Sequence, residues 1–357
     1  MIKQNNKLSF KDQDIYVGID ISKKSWNVTI LTEHFEHKTF TQPPVPDTLV
    51  NYLSKHFPDA KYKAAYEAGL FGFWAYNALM KLGVECIVVH PADIPTKDKE
   101  RRNRNDDVDS RKIARSLRAG ELTPLYVPST KAQEDRSLVR MRMLMVKKQT
   151  RTKNQLKALL TFYGIDIPKE LSNSNWSNRF IHWLDNLNFK YDSGKQAFSA
   201  LLSELKNLRS VIAQLTKDIH NLSKQEPYKM PVKYLRSIPG ISTTTAMVFL
   251  TEIVDINRFK NLDHLASYFG LIPGEDSSGD KQIHRGISKR RNSNLRVLLI
   301  ESSWVAVRKD PALLMSFNQL SNRMPKNKAI IRIARKLLNR IYYVLKNQCF
   351  YEIGVVS

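Results

Sequence analysis

Only two cysteines, Cys86 and Cys349, occur in 357 residues, too few for a disulfide framework or a thiolate zinc site. Cys86 lies in the apolar run Cys86-Ile87-Val88-Val89 and is expected as a reduced core residue. No stretch approaches the roughly 20 apolar residues of a membrane-spanning helix, and no basic-then-apolar leader opens the chain. The protein is therefore expected to be soluble and intracellular, with no membrane partner. Glycine is scarce, at 13 residues without a cluster, and acids are outnumbered, 34 Asp+Glu against 57 Lys+Arg for a formal charge of +23. That excess runs along most of the length, so it points to a polyanionic partner, nucleic acid first. With 42% hydrophobic residues, the chain is long enough for two or three domains and at least one sizeable core.

Residues 1–14 are polar and read as a flexible lead-in. From 15 to 128, short β-like runs (15–20, 26–31, 35–40, 62–66, 84–89) alternate with helical ones (47–57, 71–82, 109–119), which predicts an α/β domain. The densely charged segment 93–104 reads as a mobile loop near the functional site. From 129 to 226 strand patterns vanish. Phe198, Leu201, Leu205, Leu208, Ile212, Leu215, Ile219 and Leu222 recur at 3-4 spacing, a heptad seam that predicts a helical coiled-coil connector. Its partner is either the helix over 134–163 or a second subunit. That helix carries Arg136, Arg140, Arg142, Lys147, Lys148, Arg151, Lys153 and Lys157. A solvated helix usually mixes signs, so this surface suits a nucleic-acid backbone, with plain solubility as the bland reading. From 227 to 357 the chain is mostly helical. Leu235-Arg236-Ser237-Ile238-Pro239-Gly240-Ile241-Ser242 predicts a helix–hairpin–helix-like turn whose second helix is capped by Ser242 or Thr243.

Four acids stand out. Asp20 closes the apolar run Tyr16-Val17-Gly18-Ile19, Glu67 closes Tyr62-Lys63-Ala64-Ala65-Tyr66, and Asp106 and Asp109 lie three apart where a helix begins. That spacing puts the last two on one helix face. Each acid alone has a dull explanation, as a helix cap or a surface residue at a strand end. Together, without His or Cys, they suit Mg²⁺ or Mn²⁺ working on phosphate. The strand Tyr16 to Ser22 also fits a sugar-kinase or actin-like fold, but that fold needs a second glycine-rich loop, which the chain lacks.

The third region holds Ser277-Ser278-Gly279 among Lys281, His284, Arg285, Lys289, Arg290, Arg291 and Arg296. A serine before glycine is usually a loop residue. Cations able to neutralise a phosphate raise the prospect of a nucleophile that links covalently to DNA.

With these residues in view, the chain resembles the DEDD transposases of insertion sequences, a family that includes the Piv-type DNA invertases. The N-terminal part is similar to the RuvC-like, RNase H-like resolvase fold through Val17-Gly18-Ile19-Asp20, Tyr66-Glu67-Ala68 and Asn105-Asp106-Asp107-Val108-Asp109. The C-terminal part resembles the serine-bearing transposase domain through Ile238-Pro239-Gly240-Ile241, Phe269-Gly270-Leu271-Ile272-Pro273, Ser277-Ser278-Gly279 and Ile287-Ser288-Lys289-Arg290. The resemblance implies divalent metal on Asp20, Glu67, Asp106 and Asp109 and a phosphoserine bond at Ser278. It further implies a noncoding bridge RNA that pairs with donor and target DNA, and a dimer or tetramer with composite sites in the cytoplasm of a bacterium, near the nucleoid. Two departures stand beside it: Arg291 where glycine is expected, and Ser277 adjoining Ser278.

The expected function is thus a site-specific recombinase that cuts and rejoins DNA. Arg140, Lys147, Lys148, Arg151, Lys281, Arg285, Lys289, Arg290 and Arg296 are its expected nucleic-acid contacts. The rivals are a RuvC-like nuclease using metal-activated water alone and a non-catalytic, domesticated nucleic-acid binder.

Overall fold

A computed structural model describes residues 10–95, 106–172, 176–278, 281–287 and 292–353, with the backbone alone for 106, 107, 273–278, 281–287 and 293. The chain forms two compact units, residues 1–127 and 128–357.

The first unit is a mixed five-stranded sheet in the order β3-β2-β1-β4-β5. Its strands are β1 Asp14–Ile21, β2 Trp26–Leu31, β3 Glu36–Gln42, β4 Lys61–Glu67 and β5 Glu85–Val89. The first three form an antiparallel meander, and β4 and β5 join β1 in parallel, consistent with an RNase H-like domain. Parallel neighbours need crossovers. Helices α1 Pro46–His56 and α2 Trp74–Lys81 supply them. Alternation along β1 divides its side chains between two faces. Ile15, Val17 and Ile19 enter a core with Leu49, Leu53 and Leu79 of α1 and α2, and Gly18 and Asp20 face the other way. The opposite face carries helix α3, Asp106–Arg118, through Ile113 against Ala65 and Val89.

The second unit begins with two long helices, α4 Thr130–Phe162 and α6 Asp192–Leu222. They pack on each other within the same chain, which answers for one protomer where the apolar seam of α6 goes. The short α5, Asn178–Asp185, closes their far end through Phe180, Ile181 and Leu184 on Leu156, Leu160, Phe198, Leu202 and Leu205. Leu202, not the expected Leu201, is the buried residue, and Ile212 and Leu215 are only half-buried. The strict heptad seam therefore drifts over its length, as a straight helix does against a seven-residue repeat.

Helices α7 Lys229–Arg236, α8 Thr243–Ile253, α9 Leu262–Tyr268, α10 Ser293–Val307, α11 Pro311–Ser321 and α12 Lys326–Asn347 complete this unit. A two-stranded hairpin, β6 Pro273–Ser278 with β7 Lys281–Ile287, lies between α9 and α10. All residues of α8 from Thr245 to Ile253 are buried, as a helix apolar on every side must be. The Pro239-Gly240 turn joins α7 to α8, and Ser242 is the cap, its Oγ accepting from Thr245 N at 3.1 Å. Gly240 has φ +88°, and a Cβ there would lie 2.4 Å from the Ser302 carbonyl of α10. Both the turn and the helix above it require glycine.

Candidate functional site

The sheet unit places three of the four predicted acids at one end. Ile19 of β1 pairs with Tyr66 of β4, so Asp20 and Glu67 occupy the next positions on neighbouring parallel strands, where strands lie about 4.8 Å apart. Both point to the α3 face, because Gly18 and Ala65 two residues earlier do so. On its other side Asp20 pairs with Asn27, and the backbone of Glu67 stays tied down by Ala68 N donating to Val89 O at 2.8 Å. Asp20, Glu67 and Asp109 are all half-buried.

Gly18 sets how closely α3 approaches. A Cβ at this position would lie 2.1 Å from Ser110 O and 2.4 Å from Ala114 N, so the helix backbone rests directly on β1. The buried contact between Thr29 Oγ1 and Ser110 Oγ, 2.9 Å, fixes the same spot. Arg118 at the far end donates to Thr32 O at 3.2 Å, beyond the pairing of Leu31 with Tyr16. Helix α3 therefore runs against β1, and its first turn, with Asp106 and Asp109, heads the end where Asp20 and Glu67 emerge. Arg111 and Arg115 secure its outer side through Glu36, at 2.7 and 3.5 Å.

Asp109 Oδ1 lies 3.2 Å from Lys112 Nζ. The side chain of Asp106 is outside the description, as is most of the charged segment 93–104. Among the described residues no group of three or more His, Cys, Asp or Glu side chains is drawn together closely enough to grip a metal ion. The fold thus brings Asp20, Glu67 and Asp109 to a common end of the sheet.

In the helical unit, Ser278 is the last residue of β6 and pairs with Lys281 at the start of β7; Gly274 pairs with Arg285. The candidate serine thus stands at the tip of a hairpin. Lys289 and Arg290 lie outside the described residues. The hairpin is fastened at its roots. Arg296 donates to Gly270 O at 3.3 Å, and Asn292 N donates to Tyr268 O at 3.4 Å. Asn292 also caps α10 by accepting from Leu295 N at 3.3 Å, and its amide donates to Glu252 Oε2 at 3.0 Å.

Glu252, only 3% exposed, was not singled out by its sequence context. Arg140 Nε and Nη2 donate to its two oxygens at 2.6 and 2.8 Å, and Arg136 stands at 3.9 Å. Its hydrogen bond to Glu252 raises the pKa of Arg140, while burial lowers that of Arg136 despite the same carboxylate. The backbone carbonyl of Glu252 accepts from Tyr268 Oη at 3.1 Å. An acid in the largely apolar stretch Phe249-Leu250-Thr251-Glu252-Ile253 was the available signal, since a buried charge persists only when paired.

Part of the predicted nucleic-acid surface thus has partners within the chain. Arg140 is engaged by Glu252, Lys147 donates to Asn294 Oδ1 at 2.8 Å, and Arg296 holds a backbone carbonyl. They act as internal ties because a partner distant in sequence reaches each of them. Lys148 and Arg151 are exposed, with no acidic partner among the described residues. Lys281 and Arg285 lie on β7, their side chains outside the description.

Residues 17–165 match the family DEDD_Tnp_IS110, described as a transposase, and residues 232–318 match the family described as Transposase IS116/IS110/IS902. A putative transposase, y4qE, of Sinorhizobium fredii is 31% identical over 82% of this chain and 72% of its own length. The chain belongs to the IS110/IS116 transposase family. A second putative transposase of Sinorhizobium fredii, y4rJ, is 27% identical over 91% of this chain and 90% of its own. The transposase for insertion sequence element IS1111A of Coxiella burnetii is 26% identical over 78% and 76%. Transposases are enzymes of DNA cutting and joining. In this transposase the first matched segment contains Asp20, Glu67, Asp106 and Asp109, and the second contains Glu252, the β6–β7 hairpin and Asn292. No helix among the described residues is long and apolar enough to cross a membrane.

Proposed function

We propose that this transposase cleaves and rejoins DNA at an insertion sequence through a covalent bond between Ser278 and DNA, with divalent metal on Asp20, Glu67, Asp106 and Asp109. The observation that carries the reading is the strand register that sets Asp20 beside Glu67 on the sheet face headed by the first turn of α3. The candidate ligands are all carboxylates, hard oxygen donors that suit Mg²⁺ or Mn²⁺. When bound, such a cation supplies charge stabilisation to the phosphoryl group undergoing displacement.

The chain's own residues supply the rest. Lys112 Nζ, 3.2 Å from Asp109 Oδ1, fixes the orientation of that carboxylate. The Ser278 oxygen bonds to phosphorus as the bond to the departing strand breaks, and the released hydroxyl takes the proton that the serine gives up. Joining reverses this with a different strand hydroxyl, so phosphodiester bonds are conserved without ATP. Lys281, Arg285, Lys289 and Arg290, close to Ser278 in sequence, suit neutralisation of the attacked phosphate. Lys148 and Arg151 suit the backbone of DNA or of a guiding noncoding RNA. A composite site between copies calls for at least a dimer, in which the α4–α6 pair is the candidate connector.

The test incubates the full chain with Mg²⁺ and DNA carrying the element's ends and resolves covalent adducts under denaturing conditions. Wild type yields a protein–DNA adduct, Ser278→Ala yields neither adduct nor joined product, and Asp20→Asn slows cleavage by about a hundredfold or more. Unimpaired cleavage by Ser278→Ala without any adduct points instead to a nuclease using water. An unaffected Asp20→Asn removes the acids from the chemistry.

A further inference from the structure

We propose that the outer face of α12 is a binding surface for the phosphate backbone of duplex DNA, separate from the basic face of α4 and from the serine hairpin. This helix lies beyond residues 232–318, the segment matched by the second family. Its charged residues are all cations: Lys326, Lys328, Arg332, Arg335, Lys336, Arg340 and Lys346, with no Asp or Glu in 22 residues. The same protein builds an ordinary helix otherwise, since α6 carries Lys195, Lys206, Arg209 and Lys217 beside Asp192, Glu204 and Asp218. The single sign of α12 is therefore a local property, not a mere consequence of the overall charge.

Packing explains why the cations form a row. Ala329, Ile330, Ile333, Ala334, Leu337, Leu338, Ile341 and Val344 are buried, which commits one side of the helix to the core. Lys328, Arg332 and Lys336 are exposed at i, i+4 and i+8, one line spanning about 12 Å at 1.5 Å per residue. Asn339 and Tyr343 continue it, Tyr343 being 61% exposed. Arg335 and Arg340 have acids to answer them, Asp263 at 2.5 Å and Asp310 at 3.6 Å. Lys328 and Arg332 have none among the described residues, and Lys336 reaches only Ser316 Oγ, at 3.2 Å. The helix thus neutralises the cations at its flanks and leaves a central row for an outside anion.

A rigid row of cations suits a regular line of phosphates. The row offers a single exposed ring, Tyr343 at its end, whereas a run of unpaired bases needs successive rings to stack on, so the backbone of a double helix is the favoured occupant. The choice of DNA rests on the transposase reading above. Such a surface adds affinity without sequence preference and holds flanking DNA while the site acts on a strand.

The experiment measures binding of the full chain to a DNA duplex of arbitrary sequence, and to an RNA hairpin of equal length, by anisotropy across a salt series. The triple variant Lys328→Gln/Arg332→Gln/Lys336→Gln is compared with Lys195→Gln/Lys206→Gln/Lys217→Gln on α6, which removes the same charge. The α12 variant is expected to weaken duplex binding about tenfold or more at low salt and to reduce the log–log salt slope by about 2 to 3, at roughly 0.9 per phosphate. The α6 variant should change little, and the melting temperatures of all three proteins should agree. Equal weakening by both triples, no weakening by the α12 triple, or a loss confined to the RNA hairpin would overturn the proposal. A wild type that ignores duplex DNA at every salt concentration would instead defeat the DNA-cutting reading itself.

Discussion

The acidic end of the sheet and the root of the serine hairpin are held by opposite means. At the sheet, the main chain does the positioning: parallel register sets Asp20 beside Glu67, and a missing side chain at Gly18 lets the α3 backbone lie on the strand. The acids themselves stay half-buried. At the hairpin, side-chain charge does the positioning: Glu252 is sunk in the helical core and answered by Arg140, Arg136 and Asn292. The difference teaches where to look for function in a strongly basic chain. A charge that is deeply buried and fully answered builds the fold, whereas a partly exposed charge at the end of a well-fixed element is available to a substrate.

The largest effect should come from removing the buried anion. Glu252→Ala leaves two guanidinium groups without their carboxylate and is expected to destabilise the helical unit by about 3 kcal/mol, the low end of the range because Arg140 can turn toward water. Hydrogen exchange should also quicken across 270–292 while the sheet unit keeps its protection. Unchanged exchange at the hairpin would break the contrast drawn above. Gly18→Ala should act on the other unit, costing about 2 kcal/mol as α3 is pushed off β1, and Gly69→Ala, which meets nothing within 4 Å, serves as its control. Equal denaturation midpoints for the two glycine variants would remove the main-chain account of the acidic end.

A smaller effect comes from Cys86, whose thiol burial pushes up to about 12 from an ordinary 9.0. The folded sheet therefore favours the protonated thiol. Its contribution is fully present below pH 9 and is lost as pH rises from 9 toward 12, because the unfolded chain ionises first. Denaturation midpoints across that window check the sign, with Cys86→Ala flattening the fall. Alkylation at pH 8 should mark the half-buried Cys349 and spare Cys86; rapid labelling of Cys86 would show that the sheet core opens readily.

Much of the first unit was legible because its signals are local. Runs carrying Val, Ile or Tyr mark four of the five strands, β1, β2, β4 and β5, and Asp20 and Glu67 stand where two of those runs stop. The excess of cations on α4 was equally visible, but its meaning was not. Arg140 lies 112 residues from Glu252 and Lys147 lies 147 from Asn294, and spacing along a helix carries no information about partners that far away. Leu201 and Leu202 illustrate a finer limit: an ideal heptad favours the first, and the straight helix buries the second. Similarly, Ser277-Ser278-Gly279 reads as a turn, yet pairing with β7 extends the strand through Ser278.

The sequence by itself determined the family of the protein and the order of strands and helices in its first unit, since motif and periodicity are properties of neighbouring residues. Only the tertiary structure decided which charges are committed to one another and which face outward. That decision depends on desolvation and on partners met across the fold, and neither is written in local spacing.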